Sequence, residues 1–216
     1  MPEVRRAVRE EIKRGAQHIQ LMLSGDVASP TDRVDSTQFS EDEIRAAVEE
    51  AEAANIYVLG HAYTSRAINR GLTCGVRTIE HGSLMDPSSL PLFLAHGAYY
   101  VPTLVTYSAL AEHGREYGLP QSSYDKVFDL LDAGLRALEM ADKAGLSIAY
   151  GTDLLGGMHA SQSRARRPPS PRGWCGWKAR SASSRQAPSP TCWSWTAIRW
   201  TTSASSPIPP PTSSRS

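Results

Sequence analysis

Residues 56–82, IYVLGHAYTSRAINRGLTCGVRTIEHG, decide the fold: two short apolar runs, IYVLGHAY (56–63) and VRTIEHG (76–82), flank a helix-like stretch, TSRAINRGLTCG. Short apolar runs bounded by Gly or polar residues read as buried strands, and a helix between two of them is the crossover that links parallel strands. The same alternation continues outward on both sides. EVRRAVREEIKR (3–14) places Val4, Val8 and Ile12 on one stripe of a solvated helix that Gly15 ends, and HIQLMLSG (18–25) reads as a strand. A polar loop from Asp26 to Ser40 leads to a capping box, Ser40 with Glu43. The helix it opens carries Ile44, Ala47, Val48 and Ala51 on one face and ends near Asn55. Towards the C-terminus follow a Pro87-initiated helix through Ala95, the strand AYYVPTLV (98–105), a long helical region to Lys143 and the strand LSIAYGTDL (146–154). Five strands alternating with helices predict an α/β fold with a parallel sheet.

Composition divides the chain, because the net charge of +1 over 216 residues hides two unlike parts. Residues 1–160 hold all 22 acidic side chains against 14 basic ones. The remaining 56 residues hold nine basic and no acidic side chains, all five Trp and nine of the 15 Pro, with no Leu, Val, Phe or Tyr. A stretch of that kind cannot specify a packed core of the usual sort. The expected organisation is a folded part over 1–163 and a basic, low-complexity tail over 164–216. No apolar run approaches the roughly 18–20 residues of a membrane span, and MPEVRRAVREE lacks an apolar signal-peptide core. The expected location is therefore the cytoplasm, with no membrane partner. Cys74, Cys175 and Cys192 lack close-paired spacing and indicate neither a disulfide framework nor a cysteine zinc knuckle.

Ser24, His61, His81 and Asp153 all fall at strand C-terminal ends, the end at which parallel sheets bind ligands. Two neutral imidazoles and a carboxylate are a suitable donor set for a divalent metal such as zinc, which would leave positions open for water. Metal-bound water is acidified towards pH 7, and a neighbouring carboxylate can take its proton, so the pattern points to a hydrolase. Each residue has a plainer reading beside this one. A strand-end His is commonly a hydrogen-bonded structural residue, and Asp153 after Gly-Thr can make an Asx-turn or cap the following segment. Arg66 and Arg70 read as solvated helix charges.

The runs HIQLMLSGDVASPTD, STQFSEDEIRAAVEEAEAANIYVLGHAY, GVRTIEHGSLMD, GAYYVPTLVTY and GLSIAYGTDLLGGMHASQS closely resemble the imidazolonepropionase-like branch of the amidohydrolase superfamily, over residues 1 to about 163. That branch includes metal-dependent Xaa-Pro dipeptidases. The resemblance implies a metal-dependent (β/α)8 barrel, here the equivalents of strands four to eight, and hydrolysis of a C–N bond in a small amide or dipeptide. By the same resemblance His61 and His81 match metal histidines of strands five and six. Asp153 matches the strand-eight aspartate that holds metal and shuttles the proton. Tyr63 resembles the tyrosine that helps hold the substrate carboxylate, and His159 falls near the expected pocket, with a solvated loop histidine as its other reading.

Three departures accompany the match. No His-x-His pair occurs in the chain, and with only five strand equivalents a barrel would not close, leaving an open sheet edge that invites self-association. Gln20 stands where the family places the lysine whose carbamate bridges two metals; a primary amide carries no charge and cannot form a carbamate. Beside these, in a lesser difference, Asp26 stands where the family commonly has a second glycine, which would restrict the loop if its backbone needed positive φ. The third departure is the tail. A GC-rich coding of a typical family ending, Asp-Leu-Leu-Val-Val-Asp-Gly-Asp-Pro-Leu-Asp-Asp-Leu, read one base later gives Thr-Cys-Trp-Ser-Trp-Thr-Ala-Ile-Arg-Trp-Thr-Thr, which is residues 191–202. The tail is therefore expected to be a frameshifted reading, and the chain, with half the family's ligands, to be inactive or impaired. The alternatives are a non-enzymatic remnant, or a basic tail that binds single-stranded nucleic acid through its charges and Trp rings.

Overall fold

The computed structural model describes residues 2–166. The tail expected from residue 164 lies, beyond Arg166, outside the described residues, and with it the expected frame change and nucleic-acid binding.

Five parallel strands follow one another across a single sheet in chain order: β1 (Ile19–Met22), β2 (Val58–Thr64), β3 (Thr78–Leu84), β4 (Tyr99–Val101) and β5 (Ser147–Ile148). Helices α1 (Pro2–Lys13), α2 (Glu41–Ala53), α3 (Ser65–Thr73), α4 (Leu90–His96), α5 (Leu104–His113) and α6 (Gln121–Lys143) surround and connect them. Register explains how the sheet separates its two faces. Leu21, Gly60, Ile79, Tyr100 and Ile148 form one row across all five strands, and the first four are buried in the main core with Ile44, Ala47, Ile68 and Leu72 of α2 and α3. Alternation turns the next row, Met22, His61, Glu80 and Val101, to the opposite face, the concave side of a partial barrel. A Cβ on Gly60 or Gly71 would come within 2.5 Å of Leu23 Cδ1, so either substitution would oblige that side chain to shift.

The capping box is present as read: Ser40 Oγ accepts from the Glu43 amide, and the Glu43 carboxylate accepts from the Ser40 amide at 2.8 Å. Several boundaries differ from the sequence reading. The strand expected over 98–105 pairs only over Tyr99–Val101, because Pro102 has no amide proton and Thr103 turns into the left-handed region before α5 begins. The strand expected over 146–154 pairs over two residues. The long helical region is two helices broken at Gly114–Pro120, and the Pro87 helix opens as a 3-10 turn, Pro87–Ser89, before α4. Asp26 adopts no positive φ; its carboxylate instead accepts from the Ala28 amide at 3.2 Å. Among the described residues no helix is long and apolar enough to cross a membrane.

Candidate active site

The concave ends of β2 and β3 bring His61 and His81 together, with ring centroids 4.6 Å apart and planes inclined by 72°. Both are buried, at 3% and 4% exposure. His61 Nε2 lies 3.2 Å from the Gly25 carbonyl, which only accepts, so Nε2 is the protonated nitrogen and Nδ1 keeps its lone pair. His81 Nδ1 lies 2.7 Å from Thr103 Oγ1, and its Nε2 faces Asp153 Oδ2 at 3.9 Å. Tyr63 stacks on His81 at 5.2 Å and meets His61 edge-on at 4.9 Å. Its hydroxyl accepts from the Tyr107 hydroxyl at 3.3 Å.

Backbone strain marks the same place. His81 (φ 73°), Thr103 (φ 46°) and Asp153 (φ 49°) are non-glycine residues in the left-handed region; His81 lies within β3, Thr103 follows β4 by two residues and Asp153 follows β5 by five. The conformation costs of order 1–3 kcal/mol per residue and is least tolerated by a β-branched side chain such as Thr, so its concentration here marks a candidate site. Burial also sets the charges. It holds the His61 and His81 pKa values below the ordinary imidazole range, opposed at His61 by the Asp26 carboxylate and assisted at His81 by His61. Burial raises Asp153 to about 6 and Glu80 to about 7; Asp26 adds to the first, while for Glu80 Thr78 opposes the rise and Asp153 adds to it. Tyr63 and Tyr107 are pushed up, again chiefly by burial.

The sequence-predicted residues are not all equally engaged. Gln20 shares a small cavity with Glu80, His81, Thr103, Gly151 and Asp153, so the amide does stand beside the histidine and the aspartate. His159 is exposed and its Nε2 pairs with the Leu154 carbonyl at 2.8 Å, which makes it a tie within its own segment. Arg66 is exposed and Arg70 half-buried, and both reach the preceding loop. They donate to the Asp35 carbonyl at 2.8 Å and the Phe39 carbonyl at 2.5 Å, while Lys126 of α6 binds the Ser29 and Asp32 carbonyls at 2.9 and 2.7 Å. Three cations thus pin the loop between β1 and α2. Glu80, Thr103 and Tyr107 escaped the sequence reading. Nothing in the sequence singles them out: alternation from an inward His81 turns Glu80 outward, and it is the register pairing Glu80 with His61 that brings it to the concave side.

The donor types fit a divalent cation: His61 retains a lone pair on Nδ1, and His81 presents Nε2 to a carboxylate. Their spacing does not close a ligand sphere, and among the described residues no three His, Cys, Asp or Glu side chains are grouped to hold a metal ion.

The pattern describing the amidohydrolase family matches residues 2–167. Ochratoxinase from Aspergillus niger is 40% identical over 152 residues, which are 70% of this chain and 31% of the relative. Among solved structures, a prolidase complexed with N-methylphosphonate-L-proline is 58% identical, with a TM-score of 0.73 over 76% of this chain and 41% of that one. A Xaa-Pro dipeptidase with methionine bound in its active site is 28% identical, with a TM-score of 0.66 over 76% and 42%. The chain therefore spans about a third to two fifths of the length of these relatives.

Proposed function

Because this chain belongs to the amidohydrolase family, we propose that its strand-end cluster is the amide-hydrolysing centre of that family, directed at small peptide-like amides, and that turnover by these 216 residues is weak. The observation that carries the reading is the convergence of His61 in β2, His81 in β3 and Asp153 beyond β5, with His81 and Asp153 in strained backbone. The relatives named prolidase and Xaa-Pro dipeptidase favour a dipeptide, and the one named ochratoxinase favours an amide more broadly.

His61, His81 and Asp153 would hold a zinc-like cation, which when bound supplies a Lewis acid and an acidified water. The chain's own groups do the rest. Asp153, half exposed at the mouth, takes a proton on its carboxylate from the attacking side and returns it to the leaving nitrogen. Tyr63 orients the substrate's carboxylate through its hydroxyl. Gln20 limits the site, because its amide brings no charge where the resemblance implies a carbamate.

The test is hydrolysis of a Xaa-Pro dipeptide by the purified chain with and without added Zn²⁺. The expected outcome is metal-dependent turnover about a hundredfold below that of the prolidase the chain resembles, lost in Asp153→Asn. Turnover that survives Asp153→Asn, or that none of the metal conditions alters, contradicts the reading. For the tail, the coding nucleotides decide: an alternative frame across residues 191–202 should encode the family-like ending Asp-Gly-Asp-Pro.

A further inference from the structure

The imidazoles are out of a ligand's reach while Asp153 is not. His61, Tyr63, His81 and Tyr107 are at most 4% exposed, whereas the Asp153 side chain is half exposed. A substrate that meets both histidines therefore needs a covering segment to move, and β2 and β3 are fixed in the core of the sheet. Two segments complete the cover: Val27 of the loop after β1, and Leu154 and Met158 beyond β5, close one apolar cluster with Tyr63 and Tyr107. The second is joined directly to Asp153, so displacing it would carry the carboxylate away from the histidines. The loop, by contrast, has a fixed root and a separate tip. Its root is tied by the Gly25 carbonyl on His61, by the Gly25 and Gln38 amides on the Ser36 and Leu23 carbonyls, and by Arg66 and Arg70. Among the described residues no backbone–backbone hydrogen bond reaches residues 27–32, and the side-chain bonds of Asp26 to Ala28 and of Ser29 to Asp32 are internal to the loop. What holds the tip to the body is α6. Lys126 Nζ donates to the Ser29 and Asp32 carbonyls at 2.9 and 2.7 Å, and Ser123, one turn earlier, donates to the Ala28 carbonyl at 3.4 Å.

We infer that residues 27–32 are a lid over the histidine pair and that Lys126 is its latch, a positioning residue that acts on the site through the loop. An ammonium on two carbonyls makes charge-assisted hydrogen bonds, the strongest of the ties between tip and body. Opening the tip withdraws Val27 from the apolar cluster and bares the side of the pair lined by Tyr63, whose ring lies against both imidazoles at 4.9 and 5.2 Å. The Gly25 carbonyl stays on His61 throughout, because Gly25 is held at the root. A segment with no backbone ladder and one buried apolar side chain belongs to the low-stability end of a fold, from which lids are drawn. That what enters is a peptide-like amide rests on the proposed function; the latch does not.

Labelling of the full chain by diethyl pyrocarbonate, read residue by residue by mass spectrometry without added metal, measures how often each imidazole is bared. Exposed His96 of α4 supplies the open rate, and His18, buried at the opposite end of β1 from the loop, reports general loosening. In the wild type His61 is expected to be labelled about tenfold or more slowly than His96, with a rate almost flat in urea below the unfolding transition, since a lid exposes little surface. Lys126→Met keeps the apolar stem and removes the donors. It should raise the His61 rate about tenfold, the size of one charge-assisted hydrogen bond, and leave His18 unchanged, whereas Lys126→Arg should keep the slow rate. Val27→Ala loosens the lid from its own side and should act like Lys126→Met; it decides the matter if that variant does not fold. A wild-type His61 as reactive as His96, or a rate that climbs with the full unfolding slope, overturns the lid. An unchanged His61 in Lys126→Met, or an equal rise at His18, overturns the latch. Saturating glycyl-proline should slow His61 labelling in Lys126→Met; no protection there overturns the proposed substrate class and leaves the lid standing.

Discussion

The ends of β2 and β3 and the end of β5 meet in one cluster but are built differently. β2 and β3 run seven residues each and carry His61 and His81 almost fully buried, locked by the Gly25 carbonyl, Thr103 and the Tyr63 ring. β5 pairs over two residues, and Asp153, five positions beyond it, keeps 51% of its side chain exposed. What ties Asp153 down is its own carbonyl, which accepts from Thr106 Oγ1 at 2.8 Å. The imidazole half of the site is thus a product of the sheet's core. The carboxylate half is set by a loop, and it can adjust without disturbing the fold.

The largest test of that contrast is a core truncation against a rim truncation. Ile79, 0% exposed at the centre of the row crossing the sheet, should cost about 3–4 kcal/mol as Ile79→Ala, whereas Leu155→Ala, 51% exposed beside Asp153, should stay within about 0.5 kcal/mol. Urea denaturation measures both, and equal costs would erase the distinction.

The next effect is electrostatic. Burial raises Glu80 to about 7 from its ordinary 4.5, so its contribution to stability is present below pH 4.5 and is lost as pH rises through 7. His61 and His81, held below 6.5, work in the other direction: their contribution is present above 6.5 and is lost as pH falls through their lowered values. Asp153, raised to about 6, shares the sign of Glu80 but is half exposed and counts for less. Glu80→Gln should therefore gain stability relative to the wild type between pH 5 and pH 8, on the order of 2–3 kcal/mol. A parallel pair of pH profiles would contradict the burial of Glu80.

A smaller difference separates the two candidate ligands. His81→Ala removes a stacked ring and a buried hydrogen bond and should cost about 1–3 kcal/mol. Asp153→Gly relieves a left-handed residue and should leave stability within about 0.5 kcal/mol or slightly improved. Thermal or urea midpoints of the two variants sharpen the comparison, and a costly Asp153→Gly would place the aspartate in the core.

Much of the frame was legible because it rests on local rules. The capping box at Ser40 and Glu43, the apolar stripe of α1 and the five apolar runs all became elements, since burial and backbone satisfaction favour the same answer in each. Strand ends were less legible. At Pro102 and Thr103 the chain leaves the sheet to position a hydroxyl, and from Tyr150 onwards YGTD reads as strand but turns away to present a carboxylate. His61, His81 and Asp153 stood out in the sequence because they are polar residues of apolar runs, and Tyr63 because of the family resemblance. Thr103 and Tyr107 were not, because their importance lies in partners from other elements. Arg66 is exposed as read, but Arg70 misled for a related reason: helix-surface spacing predicts solvation, whereas a neighbouring loop offers its carbonyls.

The account stands most directly on whether His61, His81 and Asp153 still gather a cation. Zinc content and the unfolding midpoint of the full chain, with and without added Zn²⁺, answer this together, since a ligand bound only by the folded state raises the midpoint. The predicted result is one zinc per chain, a midpoint raised by Zn²⁺, and loss of both in His81→Asn. A chain that retains no zinc and whose midpoint Zn²⁺ leaves unmoved would contradict the claim.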